Sequence, residues 1–190
     1  GTTWNKLTSG LPVAIDDHDT DVIIHPTTPA TVFCAFGAYW GPAGNGVYKS
    51  TDSGATWTKL AGGLPSVNVG RIALAVAPST PATLYAGIQD SSTYGLLGLY
   101  KTTNTGTTWT KVAAAPAYCG SQCWYDNVLA VDPSNANIAY AGGIDIYKSS
   151  NGGSSWTLMT DWWRAPTETK YAHADQHAFL APSANVIWAG

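Results

Sequence analysis

Two short motifs alternate along the chain, and each returns after about fifty residues. The first is "YKSTDSGATWTKL" at 48–60, matched by "YKTTNTGTTWTKV" at 100–112 and "YKSSNGGSSWTLM" at 147–159. The opening "GTTWNKL" at 1–7 has the form of its second half. The second motif is "VIIHPTTPATVFCAF", echoed by "LAVAPSTPATLYAGI", "LAVDPSNANIAYAGG" and "FLAPSANVIWAG". Their landmarks keep one register: Trp4, Trp57, Trp109 and Trp156 for the first, Pro26, Pro78, Pro133 and Pro182 for the second. Such a chain folds as a row of small units, each burying its faces against its neighbours.

Each unit parses into four short strands. Strand A is the apolar run before the proline, such as "IALAVAP"; strand B follows the turn, as in "TLYAGI". Strand C is "GLYKTT" and strand D is "TWTKV". No segment keeps a helical period, and turn residues punctuate every run. The expectation is an all-β chain, a β-propeller of four-stranded antiparallel blades. Residues 1–7 read as the last strand of a preceding blade. Residues 13–60, 67–112 and 125–159 read as blades, and 173–190 as the first two strands of a next one. Closing the ends into four blades leaves one strand C missing. The expected whole is therefore a propeller with more blades, seven being one option, or a second propeller beside this one.

In the first motif, Asp52, Asn104 and Asn151 can accept backbone N–H bonds inside the C–D turn. Gly54, Gly106 and Gly153 supply a positive φ. Trp57, Trp109 and Trp156 anchor the outer strand against a neighbouring blade. Calcium binding there would need several carboxylates, and two of the three copies carry Asn.

The pattern S/T-x-D/N-x-G-x-T/S-W resembles the Asp-box, or bacterial neuraminidase (BNR), repeat. That family includes sialidases, xyloglucanase-type glycoside hydrolases, sortilin-type receptors and many secreted bacterial proteins. The resemblance implies a propeller over nearly the whole chain, while one motif serves unrelated activities. A sialidase is not implied, because that family clamps its substrate with three arginines and uses a Tyr/Glu pair. This chain holds only Arg71 and Arg164, and its one Glu is Glu168, in a loop.

Composition narrows the partners. Charged residues make up 11%, with net charge -3. Nucleic acid is thereby excluded as main partner, since phosphate binding needs a dense Lys/Arg surface. No run is apolar and long enough to span a membrane. The low-charge, turn-rich mixture points outside the cytoplasm: extracellular, cell-surface or periplasmic. Cys119 and Cys123, in "CGSQC", close a short loop and form an expected disulfide in an oxidising compartment. Cys34 lies in an apolar run and reads as a buried small hydrophobe.

The A–B and C–D turns are short and uniform and share one face. The D–A and B–C connections on the opposite face are long and varied, where binding usually sits. They carry Tyr39, Trp40, Tyr94, Tyr118, Trp124, Tyr125, Trp162, Trp163 and Tyr171. These rings read either as a platform for sugars or as small loop cores. The second candidate is the start of strand A, beside the axial channel. Seven residues before the prolines stand Asp19, Arg71, Asp126 and Asp175. Asp19, Asp126 and Asp175 are the candidate acids of a glycoside hydrolase, which needs two facing carboxylates. Residues two apart on a strand share a face, so Asp17, Asp19 and Asp21 form one triplet and His173, Asp175 and His177 another. The latter could hold a divalent metal at the axial face; no other cofactor is implied. The first expectation for function is a binding or structural propeller presenting its loop face to a glycan or to another extracellular protein. The alternative is a hydrolase acting on polysaccharide.

Overall fold

The structure is a computed structural model that describes residues 1–12 and 19–190, with the backbone alone at 19 and 20. Among the described residues every regular element is a strand. None is a helix long and apolar enough to cross a membrane.

Three four-stranded sheets follow one another. The first holds β1 (Asp19–Ile24), β2 (Val32–Phe36), β3 (Gly46–Ser50) and β4 (Thr58–Lys59). The second holds β5 (Val69–Val76), β6 (Leu84–Asp90), β7 (Leu96–Thr102) and β8 (Thr110–Lys111). The third holds β9 (Val128–Val131), β10 (Ala139–Gly142), β11 (Ile146–Ser149) and β12 (Thr157–Leu158). A two-stranded sheet, β13 (Phe179–Ser183) and β14 (Val186–Ala189), ends the chain. Each sheet is a meander in chain order, every pair antiparallel. No strand is assigned to residues 1–7.

The innermost strands β1, β5, β9 and β13 lie side by side around one axis. Strand A of a middle blade is covered on both faces, which is why β5 reads as an almost unbroken apolar run. Two cores fill the gaps between blades. Phe33, Ala35 and Val47 of the first blade meet Leu74, Leu84, Ile88 and Trp109 of the second. Tyr85 and Leu99 of the second meet Leu129, Val131 and Ala139 of the third. Full burial of such a side chain contributes about 1.5–3 kcal/mol. Val22, Leu74 and Leu129 occupy one position in three copies. Leu74 is 4% exposed against 54% for Val22, because no described residues cover that face of β1.

The C–D turns follow one hydrogen-bond scheme. The Oδ1 of Asp52, Asn104 or Asn151 accepts the N–H four residues on, from Thr56, Thr108 or Ser155, each at 2.9 Å. The hydroxyl of Ser50, Thr102 or Ser149 accepts the N–H of Gly54, Gly106 or Gly153. Those glycines have φ of 90°, 82° and 97°, where a side chain would be strained. Ser53, Thr105 and Gly152 donate their N–H groups to Ala30, Ala82 and Asn137, tying each C–D turn to the A–B turn of its own blade.

A lysine on strand C fastens each blade to the next. Lys49 Nζ donates to the Thr105 carbonyl at 2.9 Å, and Lys101 Nζ to that of Gly152 at 3.1 Å. Each ammonium also lies over a strand-B ring, Phe33 or Tyr85. Lys148 repeats the device, over Tyr140 and onto Asn185 Oδ1.

Candidate functional site

The end of the blades opposite these turns carries the long connections, and buried amides hold them in place. Asn45 accepts the Ala38 N–H and donates to the carbonyls of Ala38 and Val69, fixing the loop that carries Tyr39 and Trp40. Gln89, fully buried, accepts the Arg71 N–H at 2.7 Å and donates to the Tyr39 carbonyl. Asn127 donates to the Gly87 carbonyl and accepts the Tyr118 hydroxyl at 2.8 Å. The sequence reading missed all three amides. Their signal was a polar residue in an apolar run, as in "YAGIQD".

The loop before β9 is held from both sides. Cys119 and Cys123 are bonded, wholly buried, and belong to the core between the second and third blades. The Cys123 N–H donates to the Tyr94 carbonyl, which helps hold Tyr94 at a φ of 63°. A bulky residue adopts that conformation only when its surroundings impose it. Tyr118, expected among the ligand-binding rings, is instead 0% exposed. It passes over Gly87, where a Cβ would run into its hydroxyl, so it is a core residue.

What this framework presents is a run of rings. Trp40 meets Tyr39 edge-on at 5.1 Å between centroids, and Tyr39 lies 6.2 Å from Trp124. Trp124 lies 5.5 Å from Tyr125, which meets the His177 ring at 4.5 Å. All five residues are exposed, although they come from the first blade, the third blade and the segment before β13. Tyr39, Tyr94 and Trp124 line a cavity of about 370 Å³ along this track.

At its inner end the track reaches the axis. A cavity of about 290 Å³ there is lined by residues in or just before the innermost strands of four sheets, including Asp21, Arg71, Asn127 and His177. Arg71 Nη1 lies 3.5 Å from the Trp124 carbonyl, and among the described residues its buried Nε has no hydrogen-bond partner. Asp21 Oδ2 accepts the Leu74 N–H at 2.8 Å. Asp126 is wholly buried, and neither carboxyl oxygen has a partner among the described residues. Burial first, and the Asp175 charge second, push its carboxyl up to about 7, against the weaker pull of Arg71. A buried carboxyl that keeps its proton to neutral pH is suited to general-acid work, given access to a substrate.

Trp162, Trp163 and Tyr171 stand apart from the track. Trp162 and Trp163 stack at 3.9 Å, with Trp163 78% exposed. Trp162, Tyr171, His173 and Asp175 line a cavity of about 520 Å³. Arg164, at its rim, is tied to Asp161 at 3.5 Å and Glu168 at 2.9 Å. The metal expectation for His173, Asp175 and His177 is corrected by the backbone. The segment is not a strand, β13 begins only at Phe179, and Asp175 has a φ of 71°. Two-residue spacing therefore does not put the three on one face, and His177 lines the axial cavity rather than that of His173. Among the described residues no three of His, Cys, Asp and Glu gather to hold a metal ion. Asp19 starts β1, opposite Phe36; its side chain, and Asp17, lie outside the described residues.

No family model matches the chain. It is 25% identical over 192 residues to a xyloglucanase of Hypocrea jecorina, across 83% of this chain and 22% of that protein. It is 29% identical over 163 residues to the xyloglucanase Xgh74A of Acetivibrio thermocellus, across 70% of this chain and 19% of that one. The chain thus spans about a fifth of the length of these curated relatives. Among solved structures it is similar to the GH74 xyloglucanase from Xanthomonas campestris, with TM-score 0.62 and 22% identity, over 82% of this chain and 26% of that one. It is also similar to YCF48 from Cyanidioschyzon merolae, with TM-score 0.57 and 14% identity, over 85% and 46%.

Proposed function

We propose that this segment of a β-propeller binds a polysaccharide along its aromatic track, outside the cytoplasm. The observation that carries the reading is the run of five exposed rings, from Trp40 to His177, held by buried amides and a disulfide loop. Flat apolar faces beside polar groups suit sugar rings, which are themselves apolar on their faces and hydroxylated at their rims. Prior fixing of the rings lowers the ordering cost of binding. The relatives called xyloglucanases support a glycan as ligand. The buried disulfide supports an oxidising compartment. We read the C–D turns as Asp-boxes on the strength of their hydrogen bonds, and give them a structural role only.

The test is affinity electrophoresis of the full-length protein through gels holding xyloglucan and other neutral polysaccharides. Retardation should fall about tenfold in apparent affinity for Trp124→Ala, since one stacked ring contributes on the order of 1–2 kcal/mol. Equal mobility of the wild type in every gel would remove the reading.

Asp126 favours a second reading, polysaccharide hydrolysis with this carboxyl as the acid and Asp175 as its carboxylate partner. Release of reducing ends should then vanish in Asp126→Asn while retardation persists. A wild-type protein that cleaves none of the polysaccharides it binds excludes it.

A further inference from the structure

We propose that the axial cavity takes the carboxylate of an acidic sugar, a uronate, at the inner end of the aromatic track. This rests on the glycan reading of the track and adds the class of sugar that its end selects.

The track and the cavity share His177, and Arg71 reaches from the cavity to the Trp124 backbone. A chain lying on the rings is thereby led to Arg71. Of the two arginines, Arg164 is already occupied by Asp161 and Glu168. Among the described residues, Arg71 Nε is buried with no hydrogen-bond partner. A buried donor left unpaired costs about 1–3 kcal/mol, so the site is incomplete until an acceptor arrives. A sugar hydroxyl can accept one bond from a guanidinium. A carboxylate accepts two in parallel, charge-assisted, on the same fork.

The acids nearby do not forbid an anion. Asp21 has one oxygen engaged by the Leu74 N–H. Asp126 feels Arg71 from β5, Asp175 from the segment before β13, and lies against Tyr118 from its own loop. Burial and Asp175 keep it protonated to about pH 7. Below that pH its carboxyl carries no charge, and Asp21, whose own carboxyl is pushed upward by burial, stands with Arg71 in the cavity lining. Above it, a negative charge appears on Asp126 near Arg71 and binding weakens.

The experiment is calorimetric titration of the full-length protein with glucuronate and with glucose, at about pH 5.5 and about pH 8.5, repeated with Arg71→Gln and Arg71→Lys. The wild type should prefer glucuronate about tenfold at the lower pH, the scale of one charge-assisted contact. That preference should shrink at the higher pH and in high salt. Arg71→Gln should abolish it, and Arg71→Lys should keep part of it. Equal affinity for the two sugars in the wild type, or an unchanged preference in Arg71→Gln, overturns the proposal. If Arg71→Gln does not fold, the wild-type comparison and Arg71→Lys decide alone. The track is read out separately with a neutral oligosaccharide. Loss of neutral binding with an Arg71-dependent glucuronate signal sinks the track reading and keeps the cavity. Neutral binding with no glucuronate preference does the reverse.

Discussion

The two ends of each blade treat their polar groups in opposite ways. At the C–D turns the Asp or Asn side chain, the strand-C hydroxyl and the turn N–H groups are paired within the turn or to the A–B turn of the same blade, while among the described residues the buried indole N–H groups of Trp57 and Trp156 have no partner. At the loop end, the Asp126 carboxyl and the Nε of Arg71, which lines the axial cavity, are buried without partners among the described residues. A chain that satisfies its polar groups so fully at one end can do so at the other. Unpaired polarity at the loop end marks the place where the fold gives up stability for a ligand.

Removing the unpaired carboxyl should give the largest effect. Below about pH 4 Asp126 is protonated in both folded and unfolded chains. As pH rises, the unfolded chain ionises first, so the folded state loses stability until about pH 7 and the loss then stays constant. Asp126→Asn should therefore be more stable than wild type at pH 8, with the gap closing towards pH 4. Denaturant unfolding at the two pH values measures it. A variant less stable than wild type at pH 8 would show that the carboxyl is paired after all, and the contrast between the ends would fail.

Next is the disulfide. Replacing Cys119 and Cys123 together by Ser should cost about 2 kcal/mol from the small closed loop, and more from placing hydroxyls in the core. Glycan retardation should fall with it, because the same loop holds Trp124. Tyr118→Phe is a finer cut. It leaves the Asn127 oxygen without the Tyr118 donor and should cost about 1–3 kcal/mol, seen as a lower melting temperature.

The smallest effect belongs to the turn end. Asn104 and Asn151 accept the same backbone N–H that Asp52 accepts and pair with the same hydroxyl as donors instead of acceptors, so Asp52→Asn should leave the melting temperature at pH 7 unchanged while Asp52→Ala lowers it. Hydrogen bonds from Thr56, then Ser50, hold the Asp52 carboxyl down to about 2. Its contribution is present above about pH 4 and is lost as pH falls through 2, a sensitivity that Asp52→Asn should lack.

The blades were legible because they are local and repeated: Trp57, Trp109 and Trp156 keep one register with their prolines. The candidate site was legible only as a list of residue types. Nothing near Tyr118 in the chain says that Gly87, thirty-one residues away, leaves room for it, so a core ring read as a binding ring. His173 and His177 read as a strand face because the last repeat starts its strand later than the others. Asp126 was found by its place before Pro133, but its missing partners depend on what four blades bring to the axis.

The lysines on strand C carry one more consequence. Lys49 and Lys101 join unlike blades through the same joint, a backbone carbonyl and a ring that every copy supplies. A joint that asks so little of its neighbour's sequence lets a segment of about fifty codons be copied or lost while each remaining seam still closes. The number of blades is then a variable that heredity can adjust in whole steps, leaving the loops of each copy free to diverge.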